Sequence, residues 1–203
     1  MRIALASDHA GFTLKEAIAA FLREEKHEPV DFGCYSLDSV DYPDFLYPAT
    51  LAVARGECER GILVAGAGYA GGILANKVPG IRAAVCEDLW SVKIARQHGD
   101  ANLLCLGGVT VGAGLARELV RIFLETPPLG GKYAERNEKL RRIEAKHLAS
   151  SAELPPAVSP ASRRAEALEL VTERDAERAS ERRQGLTVFR TAIITPAARD
   201  LIE

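Results

Sequence analysis

The first 125 residues predict a doubly wound α/β domain, a five-stranded parallel sheet with helices on both faces, and the rest of the chain predicts a helical C-terminal extension. Three observations carry this. Short aliphatic or β-branched runs alternate with longer segments of helical period. The runs are mostly apolar, as central parallel strands buried on both faces must be. Each is followed by turn-forming residues.

Taken in order, the expected strands are Arg2 to Ser7, Glu28 to Phe32, Gly61 to Ala65, Ile81 to Val85 and Leu103 to Leu106. Between the first two, Phe12, Ala17, Ile18, Ala20 and Phe21 make one apolar helical face. A helix from Asp88 to Gln97 follows the fourth strand, and Leu115, Leu119, Ile122 and Phe123 make a second apolar face after the fifth. Pro127 and Pro128 end that helix, because proline lacks a donor and restricts its predecessor. A charged helix is expected from about Tyr133 to Ala149.

The main domain is therefore expected over residues 1–146, a Pro-rich linker over 147–160 and an extension over 161–203. Ala161 to Arg183 is rich in Ala, Glu and Arg, with a thin stripe of Ala161, Ala165, Leu168 and Val171, and reads as a helix. Val188 to Ile194 reads as a short strand, and Thr195-Pro196 as a helix start.

The composition excludes several function classes. Of 203 residues 47% are hydrophobic, and 26 Lys and Arg against 28 Asp and Glu leave a net charge of -2. There is no global basic field to hold nucleic acid or an anionic membrane, so an anionic partner must be met locally. No apolar run approaches the roughly 20 residues of a membrane span. Met1 to Ser7 meets Asp8 and His9 before a signal-like apolar region forms, which makes the cytoplasm the expected compartment. Cys34, Cys58, Cys86 and Cys105 lack metal-site spacing and read as reduced structural thiols, with no metal implied.

Ligands of open parallel sheets bind outside the carboxyl ends of the strands, near the point where strand order reverses. The first strand ends in Ser7-Asp8-His9-Ala10-Gly11, a carboxylate and an imidazole entering a helix. The imidazole suits phosphate contact or proton shuttling, and the carboxylate can fix its tautomer or handle a hydroxyl. Asp8 as a plain helix cap is the structural alternative.

The third strand ends in Gly66-Ala67-Gly68-Tyr69-Ala70-Gly71-Gly72, whose bare amides and following helix can cradle an anion. It contains Gly-x-Gly-x-x-Gly, and Glu87-Asp88 follow about twenty residues on, so a nucleotide-binding Rossmann-like enzyme is an alternative. Glycine serving only a tight turn is another. His98, at a helix C-terminus, and Lys132 with Arg136, four apart on one face, complete the candidates.

The set Ser7-Asp8-His9-Ala10-Gly11, Val40-Asp41-Tyr42-Pro43-Asp44, Ala75-Asn76-Lys77-Val78-Pro79-Gly80-Ile81-Arg82-Ala83-Ala84, Ala95-Arg96-Gln97-His98-Gly99-Asp100-Ala101-Asn102 and Gly130-Gly131-Lys132 resembles the ribose-5-phosphate isomerase B and galactose-6-phosphate isomerase family. The resemblance runs from Arg2 to about Lys146. It implies cofactor-free interconversion of aldose and ketose phosphates through an enediolate, with ribose 5-phosphate as the default substrate. It implies that His98 assists ring opening, that Asp8 handles hydroxyl protons, that His9, Lys132 and Arg136 meet the phosphate, and that Tyr42 lines the pocket. Backbone donors of Gly66 to Gly71, among them Ala67 and Gly68, would stabilise the enediolate oxygen. It also implies a homodimer or homotetramer with sites shared between subunits.

The chain departs from the family's pattern at the base. Ala65 stands where family enzymes usually carry a catalytic cysteine, and Ala67 where they carry threonine or serine. A second branch uses a glutamate where Gly71-Gly72 stand here. Gly99 replaces an asparagine, Val109 a phosphate-binding arginine, and Lys132 one of two arginines. Three readings follow: Tyr69, Glu87 or a histidine has taken over proton transfer, a paralogous subunit completes the site, or the fold serves binding or assembly. The 161–203 tail resembles docking tails that carry enzymes into bacterial microcompartments, and Ile194 to Leu201 is similar to pieces of such enzymes. A cargo subunit bound to a shell protein is thus a further alternative.

Overall fold

Period-two alternation sorts the strand side chains into two layers, and that sorting builds the domain. In the computed structural model, which describes residues 1–147, 168–171 and 188–194, the elements are β1 (Arg2–Ser7), α1 (Phe12–Glu24), β2 (Glu28–Asp31), α2 (Tyr42–Ala54), β3 (Arg60–Ala65), α3 (Tyr69–Ala75), β4 (Ala83–Val85), α4 (Leu89–Gly99), β5 (Leu103–Gly107), α5 (Ala113–Glu125), α6 (Lys132–His147), β6 (Leu168–Val171) and β7 (Val188–Ile194). The main sheet is parallel throughout, in the order β2-β1-β3-β5-β4.

Ile3, Leu5, Ile62, Val64, Leu104 and Leu106 face one layer, where α1, α4 and α5 bring Ile18, Val92, Leu119 and Phe123. The alternate residues Ala4, Ala6, Leu63, Ala65, Leu103 and Cys105 face the other layer, against Leu46, Ala49 and Val53 of α2 and Ala75 of α3. This is the expected doubly wound α/β sandwich.

Several boundaries and faces differ from expectation. β4 begins at Ala83 rather than Ile81, because the Asn102 side-chain amide accepts from Arg82 N (2.8 Å) and donates to Gly80 O (2.8 Å) in place of ladder bonds. On α1 the buried line is Leu14, Lys15, Ile18, Ala19, Phe21 and Leu22, whereas Ala20 is exposed on the outer side of the helical repeat. Leu115, in the first turn of α5, is also exposed. The helix expected after the glycine turn is α3, whereas α2 was not among the expected elements. α2 carries Pro43 in its first turn and Pro48 inside it, which masks its period.

Leu168–Val171 is a strand and not part of a helix: β6 pairs in parallel with β7, Leu168 opposite Val188 and Val171 opposite Ile194. Leu-Glu-Leu-Val alternates with period two, and that local pattern overrides the Ala, Glu and Arg-rich surroundings. The Val188 to Ile194 strand is as expected. The rest of the expected 161–183 helix, the linker from Leu148 and the helix start at Thr195-Pro196 lie outside the described residues. Among the described residues, no helix is long and apolar enough to cross a membrane.

Candidate active site

β1 and β3 are neighbours, yet the chain leaves β1 through α1 on one face and leaves β3 through α3 on the other. Their carboxyl ends therefore flank the reversal point, and a crevice opens between the two loops. Asp8 braces it. Its Oδ1 accepts from Gly11 N (2.8 Å) and its Oδ2 from Gly66 N (3.4 Å), while its own N–H donates to Val64 O (3.1 Å). The N-cap of α1 is Gly11, with no side-chain cap, so Asp8 ties two loops together rather than capping a helix. A Cβ on Gly11 would collide with Val64 O, so only glycine admits this approach.

His9 Nδ1 accepts from Val40 N (3.2 Å). In the neutral ring that assigns the proton to Nε2, which makes His9 a donor toward the crevice. Val40 leads into Tyr42, half-buried at the start of α2, so His9 and Tyr42 share one wall.

The glycine turn is laced to its surroundings. Gly68, at φ +82°, donates to Ala65 O (3.0 Å), and a Cβ there would lie 3.0 Å from Leu106 C. Gly108 N reaches Ala65 O (2.9 Å) and Val109 N reaches Gly66 O (3.0 Å). The amides of Gly66 and Gly68 are thus already engaged, contrary to the expectation that they face a ligand. Those of Ala67, Tyr69 and Ala70 carry no acceptor among the described residues. Gly71 serves packing: a Cβ on it would sit 3.3 Å from Cys105 Sγ and from Leu63 Cβ, so its bareness lets α3 lie on the sheet. Ala65 is buried at the end of β3, and its methyl group accepts no proton.

The remaining candidates lie elsewhere. α4 runs back along the sheet from the carboxyl end of β4 to the amino end of β5, so His98 and Gly99 sit at the opposite edge from Asp8. Strands of this length span about 17–20 Å, beyond any side chain's reach. There His98 stacks on Tyr133 with ring centroids 4.0 Å apart and 11° between planes. Asn137, buried on α6, donates to His98 O (3.1 Å). Lys132 Nζ and Arg136 Cζ lie over the Tyr133 ring at 5.1 and 5.7 Å, and neither forms an ion pair with a described carboxylate. One protomer thus groups Asp8, His9, Tyr42 and the Ala65–Gly68 turn at one end, and His98, Lys132 and Arg136 at the other.

A cavity of about 470 Å³ lies at the second end, between α6 and β4, lined by Ile81, Arg82, Ala84, Leu140, Ile143 and Glu144. It is largely apolar and holds none of the crevice residues.

The acidic pair of the nucleotide fingerprint is otherwise engaged. Asp88 caps α4, accepting from Trp90 N and Ser91 N at 2.9 Å each, and these bonds hold its carboxyl below the usual range. Glu87 accepts from Thr110 Oγ1 (2.9 Å). All four cysteines are free and buried, and burial raises every thiol, Cys58 to about 11 and Cys105 to about 12. Among the described residues no group of three or more His, Cys, Asp or Glu is placed to hold a metal ion.

Sequence reasoning missed two features. Lys15 is fully buried in α1, and its Nζ meets Asp31 Oδ1 and Oδ2 at 2.8 and 2.7 Å, beside the turn where Gly33 O accepts from Ser7 N. A lysine beside Leu14 and Ile18 in an apolar stripe was the available signal. The Thr110–Glu87 bond joins loops 23 residues apart and leaves no local signal.

Residues 3–140 match the family model described as Ribose/Galactose Isomerase. The chain belongs to the ribose/galactose isomerase family, a family of aldose–ketose isomerases. Within it, the chain is 42% identical over 143 residues to ribose-5-phosphate isomerase B of Escherichia coli, covering 70% of this chain and 96% of that protein. It is 36% identical over 148 residues to D-erythrulose-4-phosphate isomerase of Pectobacterium atrosepticum, covering 71% and 95%. The solved structure of Clostridium thermocellum ribose-5-phosphate isomerase B superposes with a TM-score of 0.71 at 46% identity, covering 72% of this chain and 99% of that one. The family match supplies the sheet, the crevice and the α6 end alike.

Proposed function

We propose that this chain is a cofactor-free sugar-phosphate isomerase, with ribose 5-phosphate as the first substrate to test, and that its site is completed by a second copy. One observation carries the reading: the residues the family resemblance gathers into one site fall at opposite ends of one protomer. A two-fold pairing brings the His98 end of one copy to the crevice of the other and does so twice. Exposed apolar side chains on α3, α4 and the loop after β5, Tyr69, Ile73, Trp90 and Val109, give such a partner a surface to cover.

In this site His98 of the second copy assists ring opening, and Asp8 exchanges hydroxyl protons. His9 Nε2–H, with Lys132 and Arg136 of the second copy, holds the phosphate. Lys132 does so as a point charge rather than a bidentate clamp. Amides of the glycine turn with no acceptor among the described residues, Ala67 and Tyr69, stand where an enediolate oxygen can be stabilised. Residues 1–146 form the catalytic unit in this reading, and the 161–203 tail is a docking extension without part in the chemistry. Erythrulose 4-phosphate, the substrate in the name of one relative, is the second substrate to test.

The methyl side chain of Ala65 favours a second reading, an impaired paralogue acting as partner or cargo subunit. Turnover of several aldose and ketose phosphates by the wild type, Ala65→Cys and His98→Asn separates the two. The isomerase reading expects wild-type activity that His98→Asn removes. Wild-type silence with activity gained by Ala65→Cys leaves the paralogue reading standing instead.

A further inference from the structure

Aldose–ketose isomerisation needs a group that takes a proton from one carbon and returns it to the next, and the Ala65 position holds none. We propose that Glu87, oriented by Thr110, is that carbon base. This rests on the isomerase reading above and names the group that reading leaves unassigned.

The other titratable groups at the crevice have different engagements. Both Asp8 oxygens accept backbone N–H groups. His9 Nδ1 is occupied by Val40 N, which leaves its other nitrogen protonated. Tyr69 carries a phenol, a donor at neutral pH where a carboxylate is an acceptor. His98, supplied by the second copy, is assigned to ring opening in the reading above. Glu87 follows β4 by two residues and is exposed. Its Oε1 accepts from Thr110 Oγ1 at 2.9 Å, and its Oε2 has no partner among the described residues.

Position adds to availability. Thr110 belongs to the loop whose Gly108 and Val109 amides bind Ala65 O and Gly66 O, so it is clipped to the glycine turn. A Cβ on Gly107 would collide with Thr110 Oγ1 and lie 3.2 Å from the carbonyl carbon of Ala67. Thr110 Oγ1 and Ala67 therefore flank one point above β5. The carboxylate bonded to Thr110 is thereby tied to the side of the glycine turn that carries Ala67, one of the two positions where this chain lacks a family side chain.

With the open-chain aldose in the crevice, Glu87 takes the C2 proton. The C–H electron pair forms the C1–C2 double bond, and the carbonyl π pair moves onto O1 to give the enediolate. The Glu87 carboxylic acid then returns the proton to C1, the C2 hydroxyl proton passes to O1, and a C2 carbonyl forms. Atoms and electrons balance without a co-reactant.

Steady-state kinetics of Glu87→Gln, Glu87→Ala, Thr110→Val and Thr110→Ser, with added formate, test this. General-base loss should lower kcat of Glu87→Gln about 100-fold to 10,000-fold with KM little changed. Formate should restore part of the turnover of Glu87→Ala. Thr110→Val should lower kcat about 10-fold, and Thr110→Ser should recover it, as orientation by a hydroxyl requires. Near-wild-type turnover of Glu87→Gln overturns the proposal, as does a loss in Glu87→Ala that formate does not relieve. If the wild type acts while His98→Asn does not, those failures fall on Glu87 alone. A wild type silent on every sugar phosphate overturns the isomerase reading and this one together.

Discussion

The two ends of the sheet are built in opposite ways. At the carboxyl end, Asp8, the glycine turn and the loop from Gly108 hold one another through backbone hydrogen bonds, and Lys15 supports them from a fully buried position. At the amino end, α6 buries only Asn137 and leaves Lys132, Arg136, Leu140 and Ile143 exposed. A preorganised crevice has few degrees of freedom left to lose on binding, whereas exposed cations that pair with no described carboxylate are available to a second molecule. In the proposed reading the first end positions the reacting atoms and the second waits for a partner.

Substitutions should break this contrast unequally. Lys15→Ala removes the fully buried partner of the Lys15–Asp31 pair and leaves a part-exposed Asp31 that keeps the Gly33 N–H, at a cost of about 1–3 kcal/mol. Chemical denaturation of the folded chain measures it, and a loss under about 1 kcal/mol contradicts the supporting role.

Next in size is an alkaline effect that also belongs to the packed side. Burial raises Cys105 to about 12 and Cys58 to about 11, from an ordinary value of 9.0. Each thiol ionises first in the unfolded chain. Their contribution to stability is therefore complete below about pH 9 and is lost as pH rises through 11 and 12. Denaturation midpoints should hold steady from pH 7 to 9 and then fall, and Cys105→Ala should flatten that fall.

The smallest effect on stability should come from the exposed end. Lys132→Ala and Arg136→Ala should each change unfolding free energy by less than about 0.5 kcal/mol. Both should raise KM for a sugar phosphate, and lower KM sensitivity to salt, because a phosphate contact in a partly exposed site is screened. An unchanged KM removes these residues from the phosphate site.

The legible and illegible parts of the molecule differ in range. The central strands were readable because each holds a run of consecutive apolar residues, and the crevice because Asp8, His9 and Gly66–Gly68 directly follow two of them. α2 was hidden by Pro43 and Pro48, and the edge of β4 by an Asn102 side chain that replaces ladder bonds. The strand Leu168–Val171 was hidden inside a helix-like composition. His98 is readable as a residue, but its distance from Asp8 depends on which end of the sheet α4 reaches, a property of topology and not of spacing. Glu87 is readable alone as a candidate, but its link to Thr110, like the pairing of Lys15 with Asp31, arises only when folding brings the partners within 3 Å.

The central claim, that each site draws on both ends of two different protomers, has a direct test in subunit complementation. Differently tagged Asp8→Asn and His98→Asn chains are co-expressed, the mixed dimer is isolated, and its sugar-phosphate isomerase turnover is compared with that of each parent. Both parents should be nearly inactive. In the mixed dimer one site carries both substitutions and the other carries neither, so turnover should return to about half that of the wild-type dimer. A mixed dimer as inactive as its parents would contradict the account, because it would place Asp8 and His98 in the same protomer's site.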